Sequence, residues 1–208
     1  MIYYDSLVQW MDIPSQTVKI DSIAKMFGKY ITEAYSDGDT LVVEFDTKRV
    51  LCTEWKGWSQ VNRFIRRTGI IHWIRITTST GKSIVCSPDQ LIPVYDPATT
   101  SRGFHGETKY ANRLTCFADV KPGDTLRVLH AFSPDGVMVH FDTVDSVTPM
   151  EPESAVITGY GIMTRYKFIN CNDFYIWASD DKPSQCNRAS TGCGEQSNCD
   201  NCHSGDRL

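Results

Sequence analysis

Ser87 and Gln90 bracket a four-residue corner, Ser-Pro-Asp-Gln, that directly follows Cys86 and separates the apolar runs Ser-Ile-Val and Leu-Ile-Pro-Val-Tyr. A hydroxyl and a carboxamide so close together can hold a polar group facing them by hydrogen bonds. The carboxamide has no proton to deliver near neutral pH. The same corner also reads as a plain turn, in which Pro88 fixes φ and Asp89 bonds local amides. A second polar pair, Asn170-Cys171, ends another apolar run and equally suits a strand-end turn. His72, His105, His130 and His140 each stand alone, as surface or core histidines usually do.

The densest group of chemically able side chains lies at the C-terminus. Cys186, Cys193, Cys199 and Cys202 crowd into the last 23 residues, with His203 beside the last of them. Four thiolates around zinc need two ligand pairs on tight turns, and only Cys199 and Cys202 have the usual two-residue spacing. The competing reading is a disordered polar terminus, which the Ser, Asn, Gly and Asp content supports. Zinc in the tail is the one cofactor the composition allows. Disulfides would need an oxidising compartment, and the opening MIYYDSLVQWMDIPSQ has no basic, signal-like segment to indicate one.

The elements that position these residues must come from a chain of 208 residues, 41% of them hydrophobic, with a formal net charge of −4. One domain with a small appendage is expected. The balance selects no polyanionic partner, so no nucleic acid is expected, and no apolar run reaches the roughly 18 residues of a membrane span. The expectation is an intracellular, cytoplasmic monomer. Cys52, Cys86 and Cys116 sit singly in apolar contexts and read as core.

Two segments carry a helical period. In residues 18–39, Ile20, Ile23, Ala24, Phe27, Tyr30, Ile31 and Ala34 recur at steps of three and four, and Gly38 follows as a stop. In 58–69, Ser59 could cap, Val61, Phe64 and Ile65 could face inward, and Gly69 could close the end. Arg63, Arg66 and Arg67 would then share a solvated face. Almost everything else is β-branched and aromatic, punctuated by turn signals such as SDGD, STGK, KPGD and SPDG. The fold class expected is mainly β, curled or interleaved, with one or two short helices. Ser36–Val43 and Lys121–Val128 share Gly-Asp-Thr-Leu at the entry to a strand, an echo that suits two related halves.

From residue 70 to 130 these features follow a specific order. There is a strand, Thr-Gly-Lys, a strand ending Val-Cys-Ser-Pro-Asp-Gln, then Pro-Val-Tyr, an Arg-Gly-Phe turn, and Ala-Asp-Val-Lys-Pro-Gly-Asp-Thr-Leu-Arg-Val. This order resembles the Hint domains of inteins and hedgehog-type autoprocessing proteins, and MIYYDSLVQW, with Asp5, Ser6 and Val8, resembles the opening strand of short phage inteins. The resemblance covers residues 1–180. It implies a horseshoe-like β fold with pseudo-twofold halves over 1–179, with 180–208 as a cysteine-rich appendage or downstream host segment. It also implies cofactor-free self-cleavage and splicing, with flanking extein segments as partners. In that family the first residue, Cys or Ser, attacks the preceding carbonyl to form an ester or thioester. A central His protonates the departing nitrogen, a Thr or Ser holds the scissile carbonyl, and a terminal Asn cyclises to release the domain.

This chain departs from the pattern where the chemistry is done. Met1 has a thioether with no ionisable proton, and Gln90 occupies the place of the central His, with Ser87 in the Thr/Ser position. Two downstream junctions fit. One aligns Trp177 and Ala178 with His-Asn and makes Ser179 the acceptor, although Ala178 cannot cyclise; the other takes Asn170 as terminal Asn and Cys171 as the following nucleophile. The resemblance thus implies a splicing domain without an inserted endonuclease, impaired as written. The alternative is a non-catalytic, β-rich phage or viral accessory protein that binds a partner, and zinc through its tail.

Overall fold

Alternating burial is what makes this chain a sheet protein: along Leu7–Asp12 every second side chain, Val8, Trp10 and Asp12, is buried while its neighbours face outward. A computed structural model describes residues 1–45, 49–54, 57–102, 108–133, 136–150 and 157–179. Cys186, Cys193, Cys199 and Cys202, and also His105, lie outside the described residues.

The strands are β1 (Ile2–Tyr3), β2 (Leu7–Asp12), β3 (Thr17–Ser22), β4 (Tyr35–Asp37), β5 (Thr40–Glu44), β6 (Val50–Glu54), β7 (Gly57–Gly69) and β8 (Trp73–Thr78). They continue as β9 (Ser83–Cys86), β10 (Leu91–Arg102), β11 (Thr108–Cys116), β12 (Thr125–Ser133), β13 (Gly136–Met150), β14 (Ile157–Thr164), β15 (Phe168–Cys171) and β16 (Phe174–Trp177). One α-helix, α1 (Ile23–Gly28), and 3₁₀ turns at Ile31–Glu33 and Phe117–Asp119 complete the described residues. The mainly β architecture expected from the sequence is the one observed.

Hydrogen bonding follows the order β11-β10-β12-β13-β8-β9-β1-β14-β7-β6-β2-β3, so the two-residue β1 sits inside the sheet, between β9 and β14. Ile2 lies opposite Cys86 on one side and Tyr160 on the other. Trp10, Tyr30, Phe64, Ile76, Ile84, Phe117, Leu126 and Phe174 fill the interior this arrangement encloses. The Gly-Asp-Thr-Leu echo ends in matching local geometry. Gly38 and Gly123 both take positive φ, 59° and 91°, in the turns that launch β5 and β12.

The helical reading of 58–69 is corrected: these residues form β7. Its register against β14 pairs Met163 with Arg63 and then Thr164 with Val61, so a bulge at Asn62 inserts one residue into the alternation. Buried Ser59 and Val61 are therefore followed by buried Phe64 at a step of three, which imitates a helical period. Arg63 and Arg66 lie on opposite faces of the strand. Arg63 pairs with Glu44 at 2.7 Å, whereas the Arg66 guanidinium lies 5.9 Å from the centre of the Phe27 ring.

The helical reading of 18–39 survives only in its middle. Residues 17–22 pair with β2, and Ile20, counted with the helix's inner face, is 65% exposed. α1 then runs for six residues, its N-terminus capped by Ser22, whose hydroxyl accepts from the Lys25 amide at 3.3 Å, and it buries Ile23, Met26 and Phe27.

Cys52, Cys86 and Cys171 are fully buried, whereas Cys116 is only half-buried.

Candidate functional site

The corner at Ser87 is both the things its residues suggested. The Gln90 amide donates to the Ser87 carbonyl at 3.0 Å, closing a β-turn with Pro88 and Asp89 at its centre. The 3₁₀ turn at Phe117–Asp119 holds that turn from behind: the Phe117 amide donates to the Gln90 carbonyl and the Ala118 amide to the Pro88 carbonyl. With the backbone fixed, the side chains of Ser87 and Gln90 face the first residue of the chain.

Met1 is gripped on both sides of its α-carbon. Its nitrogen donates to Ser87 Oγ at 2.5 Å and to Gln90 Oε1 at 3.2 Å. Its carbonyl accepts from the Ser87 amide at 2.9 Å and from the Ser87 hydroxyl at 3.2 Å. Ser87 thus uses its one proton on the Met1 carbonyl and a lone pair on the Met1 nitrogen, a consistent assignment for a hydroxyl. Burial pushes the Met1 amino group below its usual range, an effect that Asp89 partly opposes.

Gln90 extends the grip to the far end of the described chain. Its Nε2 donates to the Trp177 carbonyl at 2.7 Å and to the Leu91 carbonyl at 3.3 Å. Oxygen toward Met1 and nitrogen toward Trp177 is the only sense of the amide that pairs each atom with its opposite. A flipped carboxamide would set donor against donor and acceptor against acceptor.

The segment after Trp177 is fixed through its backbone. The Ala178 amide donates to the Lys167 carbonyl at 2.7 Å, and the Ala178 carbonyl accepts from the Thr164 amide at 2.9 Å. Lys167 reaches this position with φ of 64°, in the turn between β14 and β15. Ala178 is buried and Ser179 is half-buried beyond it.

β16 is aimed at this place by its hairpin with β15. Asn172 and Asp173 form the two-residue turn, with φ of 47° and 69°, the positive values that an Asn-Asp pair tolerates. Asn172 exchanges hydrogen bonds with the backbone of Leu7, Asp173 Oδ2 lies 2.8 Å from Lys82 Nζ, and the Asp173 carbonyl accepts from the Leu129 amide. Three distant segments therefore set the angle of the hairpin.

Met1, Ser87, Gln90 and the Trp177-Ala178-Ser179 segment are thus brought together. Asn170 and Cys171 are placed differently: both are buried at the end of β15, paired with Tyr175 and Phe174, and lead directly into the Asn172-Asp173 turn. Burial pushes the Cys171 thiol up to about 12, with the Ser6 hydroxyl opposing, and pushes Cys86 and Cys52 up as well. Protonated thiols of this kind are poor nucleophiles. Among the described residues no group of three or more His, Cys, Asp and Glu could hold a metal ion.

Sequence reasoning missed the parts played by Thr164 and Lys167. Both act through main-chain groups, which every residue has, so no residue type advertises them.

No family model matches the chain, and no curated protein does. Solved structures do. The Mvu mini-intein of transcription factor IIB has a TM-score of 0.66 at 11% identity, covering 85% of this chain and 99% of its own. The PabCDC21-1 intein has a TM-score of 0.62 at 15% identity, covering 86% and 98%. A KlbA intein precursor from Methanococcus jannaschii has a TM-score of 0.60 at 14% identity, covering 92% and 96%. At these identities the likeness speaks to architecture, and in architecture this chain has the intein fold.

Proposed function

We propose that residues 1–179 hold a protein-splicing domain and its acceptor residue, acting on its own chain between an upstream segment joined to Met1 and a downstream segment that Ser179 opens, and impaired in the residues that carry the chemistry. The observation that supports this reading is the single carboxamide of Gln90, hydrogen-bonded to the Met1 nitrogen and to the Trp177 carbonyl. A structural turn needs neither contact. A domain that must bring its two ends together for a transfer between them needs both.

The roles follow from the geometry. With an acyl group on it the Met1 nitrogen keeps one proton, which points at Ser87 Oγ or Gln90 Oε1, so these two groups flank the peptide bond before residue 1, while Thr164 and Lys167 hold the peptides on either side of Ala178. Ser179 is the acceptor in this register. The alternative junction at Asn170-Cys171 is disfavoured, because cutting there would sever a paired hairpin strand.

The missing pieces are equally specific. Met1 offers no proton-bearing nucleophile, so no ester or thioester can form at residue 1. Gln90 orients the amide nitrogen but cannot protonate it as it departs. Ala178 has no side-chain nitrogen with which to cyclise. The chain retains the holding groups and lacks the reacting ones.

The test restores the reacting groups with a foreign segment attached upstream. M1C alone should give slow, thiol-dependent release of that segment, M1C/Q90H should be faster by roughly the 10² to 10⁴ that a positioned general acid contributes, and adding A178N should release the downstream segment. A folded triple variant that releases neither segment over days overturns the proposal.

A further inference from the structure

Residue 1 lies against β14 where that strand carries two glycines, Gly159 and Gly161, on either side of Tyr160. Met1 and its neighbours Ile2 and Tyr3 run alongside Gly159, Tyr160 and Gly161, with Tyr3 opposite Gly159 and Ile2 opposite Tyr160. Glycine inside a strand weakens it, and one use that offsets the cost is close approach by another part of the chain. The two glycines differ in how close that approach is.

At Gly159 an added Cβ would lie 2.8 Å from Ile71 Cδ1, 3.1 Å from Met1 Cβ and 3.3 Å from Trp73 Cη2. Neither glycine's φ is positive, so the conflict is one of space and not of backbone conformation. Ile71 can turn its terminal methyl away. Met1 Cβ must give by a few tenths of an ångström, against the bond from the Met1 carbonyl to Ser87 and the pairing of Ile2 on both sides. At Gly161 the added Cβ would meet Ile65 Cβ at 3.6 Å, Met163 Cε at 3.7 Å and Met1 Sδ at 3.9 Å, all ordinary contacts.

We infer that Gly159 is a positioning residue for residue 1: its missing side chain admits the Cβ of residue 1, and so sets the main chain of that residue against Ser87 and Gln90. The conflict is with Cβ and not with the thioether, so the seat accepts Cys or Ser at position 1 as it accepts Met. As a statement about processing, this inference rests on the reading of residue 1 as a junction. As a statement about geometry, it stands without that reading.

The test is amide hydrogen exchange in the full chain, read at Ser87, whose N–H is bonded to the Met1 carbonyl, against Ile76 and Ile84 as core references. G159A should speed Ser87 exchange roughly tenfold or more with the core amides unchanged, while G161A should stay within about twofold of the parent. Adding M1G to G159A should restore Ser87 protection, because it removes the Cβ held beside residue 159, and adding I71V should not. Unchanged protection in G159A, or restoration by I71V, overturns the inference. If G159A alone fails to fold, recovery of folding in M1G/G159A supports the inference and recovery in I71V/G159A sinks it. Exchange needs no cleavage, so an inert M1C/Q90H/A178N protein with an intact seat refutes the splicing reading alone.

Discussion

Gln90 Nε2 lies 2.7 Å from the carbonyl oxygen of Trp177, a contact across 87 positions of sequence, and the same side chain accepts from the Met1 nitrogen. Replacing it with leucine keeps the volume and removes every partner, leaving the Trp177 carbonyl unpaired in a half-buried site. Q90L should cost about 1 to 3 kcal/mol, the penalty for orphaning a buried polar group. Denaturant melts check it, and a loss well below that range would mean that water replaces the contact.

Asp142 should give the fold a distinct acid limit. Burial pushes its carboxyl up, but hydrogen bonds from Ser79, Thr78 and Thr80 and from the Thr143 amide outweigh burial and hold it at about 2. A carboxyl depressed in the folded state stabilises fully above its unfolded value near 3.8, and that contribution is lost as pH falls toward 2. The native protein should lose stability steeply over that window. D142N should be weaker at pH 7 and flatter below pH 4, as urea midpoints across pH would record; parallel curves for the two proteins would refute the assignment.

Lys82 joins three segments, its ammonium donating to the Leu129 carbonyl at 2.7 Å and to Asp173 at 2.8 Å. K82M keeps the aliphatic stem and removes the charge. The expected loss is about 1 to 2 kcal/mol, because the Leu129 carbonyl is left without this donor. Loosening should be local to the β15–β16 turn, seen as faster amide exchange at Asn172; an unaffected turn would mean that Leu7 alone holds it.

The buried thiols should be silent. Cys52, Cys86 and Cys171 have no exposed surface, and burial raises all three above their ordinary range. Peptide mapping after alkylation at pH 8 should find them unmodified in the folded protein and fully modified in denaturant. Rapid native labelling of Cys171 would contradict the continuous hairpin and revive Asn170-Cys171 as a junction.

The sequence was most legible where each residue type had one physical use. Alternating β-branched residues announced the sheet, and the glycines of the two Gly-Asp-Thr-Leu turns marked where strands begin. The corner at Ser87 was legible because a hydroxyl, a proline and a carboxamide in that order have few uses. What could not be read depended on contacts between distant segments. The bulge at Asn62 turned a two-residue period into an apparent helical one, and only pairing with β14 exposes the extra residue. Ile20 was assigned inward by its spacing, yet it lies on β3, whose first four residues are exposed on both faces.

The placement of β1 has a mechanical consequence. Within the strand ladder the step from β9 to β14 runs through a seam two residues wide, Ile2 and Tyr3 of β1, while the β15–β16 hairpin with Ala178 bridges the two sides separately through its bonds to Leu129, Thr164 and Leu7. Any pull applied to the chain at residue 1 acts on that seam first, and Ser87 and Gln90 are its nearest rivets. Traction from that end should therefore peel β1 away before the hairpin bridge is loaded, and the force at which it yields should track how firmly those two side chains hold.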